Sequence, residues 1–174
     1  KGPEAATPEK QIEIINQLVA QNVAGIAIAA NDADALQPAL TEAMDAGIKV
    51  ISLDSAVNKD SRQTHIQQAD PEKIGRGLIQ AAYEMVDGNG GIAVLSATAQ
   101  ATNQNLWIEW MKKELEENPE KYANTPLIKV AYGDDDPTKS TSETQALLTD
   151  SSIKVIIAPT TVGMLAAGKV LQDK

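Results

Sequence analysis

The polar side chains of this chain that could do chemistry gather at a few points, and they are of a restricted kind. Asn31-Asp32, Asp54-Ser55, the group Thr98, Thr102, Asn103, Gln104 and Asn105, Gly133 with Asp134 to Asp136, and Pro159-Thr160-Thr161 each follow a short apolar run. They are carboxylates, amides and hydroxyls, with no nucleophile–base pair among them. The chain has no Cys and one His, His65, which removes thiolate chemistry and Cys-type zinc sites and nearly removes His-based metal sites and Ser-His-Asp machinery. There is no G-x-S-x-G and no phosphate loop carrying Lys. Gly88, Gly90 and Ala93 mimic the spacing of a dinucleotide fingerprint, but they precede a strand instead of following one, so that mechanism fails. The remaining groups suit a polyhydroxylated neutral ligand, because a carboxylate or an amide can bond two adjacent hydroxyls. No cofactor and no metal are expected.

Position sharpens some of these readings. Asp54 ends an apolar run and no helix begins within several residues of it, so a ligand contact is favoured over a cap. Asn103 reads equally as an N-cap or as a ligand amide, and Gln104 and Asn105 as ligand amides or solvated first-turn residues. Thr160 and Thr161 read most simply as caps, and Pro159 as turn punctuation. The Asp134 to Asp136 run is expected to be a solvated loop capping the following helix, since a calcium cage needs oxygens at alternate positions and a distal Glu. Trp107 and Trp110 share a helix face with Leu106, Met111 and Leu115 and are expected to pack in a core or interface. His65 is expected to be structural.

The elements that must hold these groups alternate. Apolar runs at Gly25 to Ala30, Ile48 to Leu53, Gly91 to Ser96, Leu127 to Ala131 and Ile153 to Ala158 read as strands, with a brief one at His65 to Gln67. Helical periods run from Pro8, from Asp34 as cap to a stop at Gly47, from Asp70-Pro71 to Gly88, from Thr102 or Asn103, from Pro137 to Thr149, and from Thr160 or Thr161 to Gln172. Pro38 is placed near a first turn, where its missing N–H costs least. Alternating apolar strands and helices predict parallel sheets covered on both faces, in which ligands bind beyond the carboxyl ends of the strands. The rhythm breaks between Asn58 and Ala69, the best place for a lobe boundary. A helix without a preceding strand opens the chain and a helix closes it, which predicts a piece of a larger fold.

The 174 residues allow one ordinary domain or two small lobes. With 43% hydrophobic and 22% charged residues a packed core is expected. Fifteen basic against 24 acidic residues give a net charge of −9, with no clustered Lys or Arg, which argues against nucleic acid and an anionic membrane surface as partners. No apolar run approaches the roughly 20 residues that span a bilayer.

Five stretches carry a family resemblance: PEKQIEIINQLVAQNVAGIAIAANDADAL, GIKVISLDSA, GIAVLSATAQATNQNLWIEWMKKEL, AYGDDDPTKS and KVIIAPTTVGMLAAGKVL. In order and over essentially the whole chain they resemble the sugar-binding subunits of bacterial ABC importers. Within the type I periplasmic binding proteins, the rhamnose-binding and autoinducer-2-binding branch is the most similar. The resemblance implies an α/β chain of two doubly wound parallel-sheet lobes of the type I periplasmic binding protein fold, both incomplete here. Lys1 to Gln68 would be part of the N-terminal lobe and Ala69 to Lys174 most of the C-terminal lobe, with the hinge near Gln68 to Asp70. A small sugar would bind in the interlobe cleft, close the lobes, and be delivered to a membrane permease. By the same resemblance Asp54, Asn103, Gln104, Pro159 and Thr161 would contact the ligand. The autoinducer branch usually carries Asp-Gln at Asn103-Gln104 and Asp-Ala at Thr160-Thr161, so the departures favour a rhamnose-like deoxyhexose. The implied protein is no enzyme, and it resides in the periplasm or is anchored outside the cell as a lipoprotein. Two other readings share the fold: the effector-binding domain of a sugar-responsive transcription repressor, and an autoinducer-2 receptor.

Overall fold

A computed structural model of the chain describes residues 1–173; Lys174, the last residue of the expected second lobe, lies outside them. Three of the helices begin where a side chain accepts an orphan N–H of the first turn, and in two of these a proline at the start removes another. Helix α1 (Pro8–Ala20) has Pro at its first position and Thr7 as cap, accepting from the Lys10 N–H at 3.4 Å. Strand β1 (Gly25–Ile28) follows, then helix α2 (Ala33–Asp45), strand β2 (Lys49–Leu53), a short 3-10 turn (Lys59–Ser61) and strand β3 (Thr64–Ile66). The cap of α2 is Asp32, not the expected Asp34: its Oδ1 accepts from the N–H groups of Asp34 and Ala35, both at 3.0 Å. Pro38 consequently lies inside α2 and not in its first turn.

The rest of the chain continues the alternation with α3 (Pro71–Met85), β4 (Gly91–Ser96), α4 (Thr102–Glu117), β5 (Leu127–Tyr132), α5 (Pro137–Leu147), β6 (Ile153–Ile157) and α6 (Thr161–Gln172). Asp136 caps α5 through the Lys139 N–H at 2.7 Å. There are two compact units. Lys1–Asp70 with Gln100–Asn103 forms the first, and Pro71–Ala99 with Gln104 onward forms the second.

In the first unit the strands pair in parallel in the order β1-β2-β3. Ile26, Ile28 and Val50 meet Ile15 of α1 and Leu36, Leu40 and Ala43 of α2 in one core. Each fully buried side chain of this size contributes about 1.5–3 kcal/mol. Alternation along the strands turns Ala27, Leu53 and Ile66 to the opposite face, where they are exposed. That differs from the expectation of cover on both faces: α1 and α2 both pack into the single core of this sheet.

In the second unit the order is β5-β4-β6, again parallel. Central strand β4 is buried at every residue, and it feeds two cores. Ile92 and Val94 pack with Ile79 and Ala82 of α3 and Ile108 and Met111 of α4. Ala93 and Leu95 pack with Leu147 of α5 and Ala167 of α6. This sheet is covered on both faces, as a run of consecutive apolar residues predicts.

Helices α3 and α4 approach closely at Gly75, where an added Cβ would lie 2.5 Å from both the Trp107 carbonyl oxygen and the Trp110 Cβ. Beside that contact, Arg76 pairs with Glu72 and Glu114 at 2.9 Å each and with Glu117 at 2.7 Å. Its guanidinium also lies 5.1 Å from the Trp110 ring centroid. Trp107 packs against the core of the unit, as expected from its helix face.

Candidate ligand-binding site

At the carboxyl end of β2 the chain turns through Asp54, whose φ of 57° is left-handed. Asp is one of the few residues with a side chain that tolerates this region, so the strand can end abruptly with a carboxylate at its tip. Both carboxylate oxygens are engaged. Gln68 donates its amide Nε2 to Oδ1 at 2.5 Å, and Asn103 donates Nδ2 to Oδ2 at 3.3 Å. Asp54 and Asn103, two of the residues singled out in the sequence, are thus brought together. Asn103 lies within the first turn of α4 and not at its cap, because the helix already begins at Thr102.

Behind Asp54 runs a chain of polar side chains. The buried Ser52 hydroxyl lies 2.9 Å from Nδ1 of His65 and accepts from Nη1 of Arg62 at 3.0 Å. His65 Nε2 lies 2.9 Å from Oε1 of Gln67. With Arg62 donating, Ser52 gives its own proton to Nδ1 and His65 donates from Nε2 to Gln67. Ser52 is fully buried, so this Ser–His pair serves as an internal tie between β2 and β3, and His65 is structural as expected. Near the end of β1 the polar groups of Asn31 and Asp32 are used differently. The Asn31 N–H donates to the Gln11 side chain at 2.8 Å, and Asp32 caps α2.

In the second unit the ends of β4 and β6 are joined by Gln104. Its side chain is buried, with Oε1 accepting from Ser96 Oγ at 3.1 Å and Nε2 donating to the Pro159 carbonyl at 2.8 Å. The structure therefore brings Gln104 and Pro159 together. Thr161, the next expected contact, is exposed as the first residue of α6. Asn105 donates to the Ala99 carbonyl at 2.8 Å, which fastens the loop before α4.

The Asp134 to Asp136 loop divides its three carboxylates among separate tasks. Asp134 pairs with Lys139, and that hydrogen bond holds the Lys139 ammonium above its ordinary range. Asp135 accepts from the Thr160 hydroxyl, and Asp136 caps α5. Among the described residues no group of three His, Cys, Asp or Glu side chains could hold a metal ion. Nor is any described helix long and apolar enough to cross a membrane.

Sequence reasoning misses Gln68, Ser96 and Asp135 as partners of these groups. Gln68 falls in the stretch read as a break in rhythm and a hinge, Ser96 in a run read as core, and Asp135 in a run read as solvated. Their roles depend on pairings 8 to 25 residues apart, which no local pattern announces.

The model of the periplasmic binding protein domain matches residues 1–174. An ABC transporter solute-binding protein from Clostridium phytofermentas, with bound L-rhamnose, superposes with a TM-score of 0.95 at 51% identity. The match covers 99% of this chain and 54% of that one. One from Burkholderia graminis, in complex with D-arabinose, gives a TM-score of 0.87 at 27% identity, covering 98% of this chain and 58% of that one. LsrB from Clostridium saccharobutylicum, in complex with AI-2, shares the fold with a TM-score of 0.89 at 24% identity, covering 99% and 56%. This chain thus spans little more than half the length of the structures it matches. Parallel sheets with polar groups at their carboxyl ends, and a family model matched from end to end, identify the chain as a member of the periplasmic binding protein domain family.

Proposed function

We propose that the protein is the solute-binding component of an ABC sugar importer and that its ligand is a rhamnose-like deoxyhexose. Asp54, Asn103, Gln104, Pro159 and Thr161 are proposed to contact the sugar. The observation that carries the reading is the Asp54 carboxylate at a strand tip, with an amide donor on each oxygen. A carboxylate that accepts from two converging donors offers the geometry that two neighbouring sugar hydroxyls require. The 51% identity to a rhamnose-bound solute-binding protein supports the choice of sugar.

The mechanism follows from that chemistry. A hydrogen bond from a sugar hydroxyl to a charged group contributes roughly 1.5–3 kcal/mol, so Asp54 dominates affinity. Asn103 and Gln104 select hydroxyl geometry, because a site built on such bonds rejects a sugar that leaves one of them unmade. Residues 1–68 and 69–174 are proposed as parts of two lobes hinged near Gln68 to Asp70. Ligand shifts the population toward a closed form because only that form satisfies the groups of both lobes at once. The closed form then docks on a membrane permease outside the cytoplasm, and the sugar leaves chemically unchanged.

The test is a thermal-shift panel on the intact protein with deoxyhexoses, pentoses and autoinducer-2. L-Rhamnose is expected to raise the melting temperature most. A panel in which no sugar shifts it overturns the reading, and a response to autoinducer-2 alone moves the protein to the signal-binding branch.

A further inference from the structure

Thr160 occupies the N-cap position of α6 in extended backbone (φ −127°, ψ 141°), yet its side chain makes no cap hydrogen bond. A threonine there ordinarily gives its oxygen to the first turn of the helix. Here the hydroxyl is turned away and donates to Oδ1 of Asp135, 25 residues earlier. The methyl is held as well: a Cβ built on Gly163 would lie 3.0 Å from Thr160 Cγ2 and 3.5 Å from Leu95 Cδ2. The side chain is therefore wedged with its methyl over Gly163 and its hydroxyl across to the next loop.

Asp135 is itself immobilised. Asp134 and Asp135 are consecutive left-handed residues, with φ of 52° and 49°. Asp reaches that backbone more readily than most residues, and two in succession are held here by surrounding contacts. Those contacts are visible. The Gly133 N–H donates to Ser96 O at 2.9 Å and the Asp134 N–H to Ala97 O at 3.2 Å, Lys139 pairs with Asp134, and Asp136 caps α5. On its other side the same β6–α6 turn is held by Gln104, through Pro159 O.

We infer that Thr160 and Asp135 are positioning residues: their hydrogen bond fixes the β6–α6 turn, so that Pro159 and Thr161 meet the sugar in one arrangement. The inference rests on the sugar-binding reading above, and neither residue touches ligand in it. Binding then avoids the ordering cost that a loose turn imposes on association.

Calorimetric titration of L-rhamnose into the intact protein tests it, using Thr160→Val, Thr160→Ser, Asp135→Gly and the Thr160→Val/Asp135→Gly double variant. Val removes the hydroxyl and keeps the shape, Ser keeps the hydroxyl, and Gly suits the left-handed backbone at Asp135. Thr160→Val and Asp135→Gly are each expected to weaken binding by about fivefold or more, and the double variant no further than the weaker single one. Thr160→Ser is expected to stay within about twofold of wild type. Wild-type affinity in Thr160→Val, equal loss in the Val and Ser variants, or additive loss in the double variant overturns the inference. Should wild type bind no sugar, the proposed function fails by itself. The latch is then judged by amide hydrogen exchange at Thr161 to Gly163: faster exchange in Thr160→Val than in wild type and Thr160→Ser upholds it, and unchanged exchange removes it.

Discussion

Among the described residues, five other than glycine take left-handed backbone, namely Asn22, Asp54, Asp87, Asp134 and Asp135, and every one is Asn or Asp. These are the types whose short polar side chains make that region accessible, so residue type and local geometry agree at the chain's sharpest turns. Two of the five, Asp54 and Asp135, also meet side-chain partners, Gln68 and Asn103 for the first and Thr160 for the second. Away from the site, Glu114 is a buried charge with several partners. Burial pushes its carboxyl up, but the Tyr122 hydroxyl, the Arg76 guanidinium and the Gln80 amide together outweigh burial and hold it below the usual glutamate range. A carboxylate that ionises more readily folded than unfolded adds stability above its unfolded pKa of about 4.3, and that stability is lost as pH falls through the lower, folded value. Urea unfolding is therefore expected to show stability declining below about pH 4 in wild type, and declining less steeply in Glu114→Gln. The same variant should cost about 1–3 kcal/mol at neutral pH, since it leaves a buried hydrogen-bonded group imperfectly matched. Identical acid limbs in the two proteins would assign the effect elsewhere.

Among the elements, α3 and α4 approach closely at Gly75. Gly75→Ala would force a Cβ against the backbone of Trp107, which cannot yield as the end of a flexible side chain would. It is expected to destabilise by about 1–3 kcal/mol. Gly77, two positions on in the same helix, has nothing within 4 Å of its virtual Cβ. Gly77→Ala is expected to stabilise by about 0.5–1 kcal/mol, because alanine loses less backbone freedom on forming a helix. Paired denaturation curves check both signs at once, and a neutral Gly75→Ala would show that the two helices separate easily. At this scale most of the frame is legible beforehand. Apolar runs such as GIAVLS and GIAI mark strands, and proline-led amphipathic periods mark helices. Besides the expected second cover of the first sheet, the misreadings sit at helix starts. Asp32 and Asp34 both suit a cap, and only the hydrogen bonds decide for Asp32. Thr102 and Asn103 look like caps, yet the helix already includes them. The strand-tip positions of the candidate residues are legible beforehand but their side-chain partners are not, because Gln68 reaches Asp54 over 14 residues and Thr160 reaches Asp135 over 25.

For the molecule as a whole, the net charge of −9 and the absence of clustered Lys or Arg leave electrostatic attraction with no part in holding an anionic partner. On the proposed reading, affinity for a neutral sugar comes from directional hydrogen bonds, with the Asp54 carboxylate as the principal acceptor. The most direct test is calorimetric titration of L-rhamnose into the intact protein and its Asp54→Asn variant. Asn tolerates the left-handed backbone, so the variant keeps the turn and loses the charge. The dissociation constant is expected to rise at least about tenfold, with the melting temperature of the ligand-free protein little changed. An unchanged dissociation constant in Asp54→Asn would contradict the account.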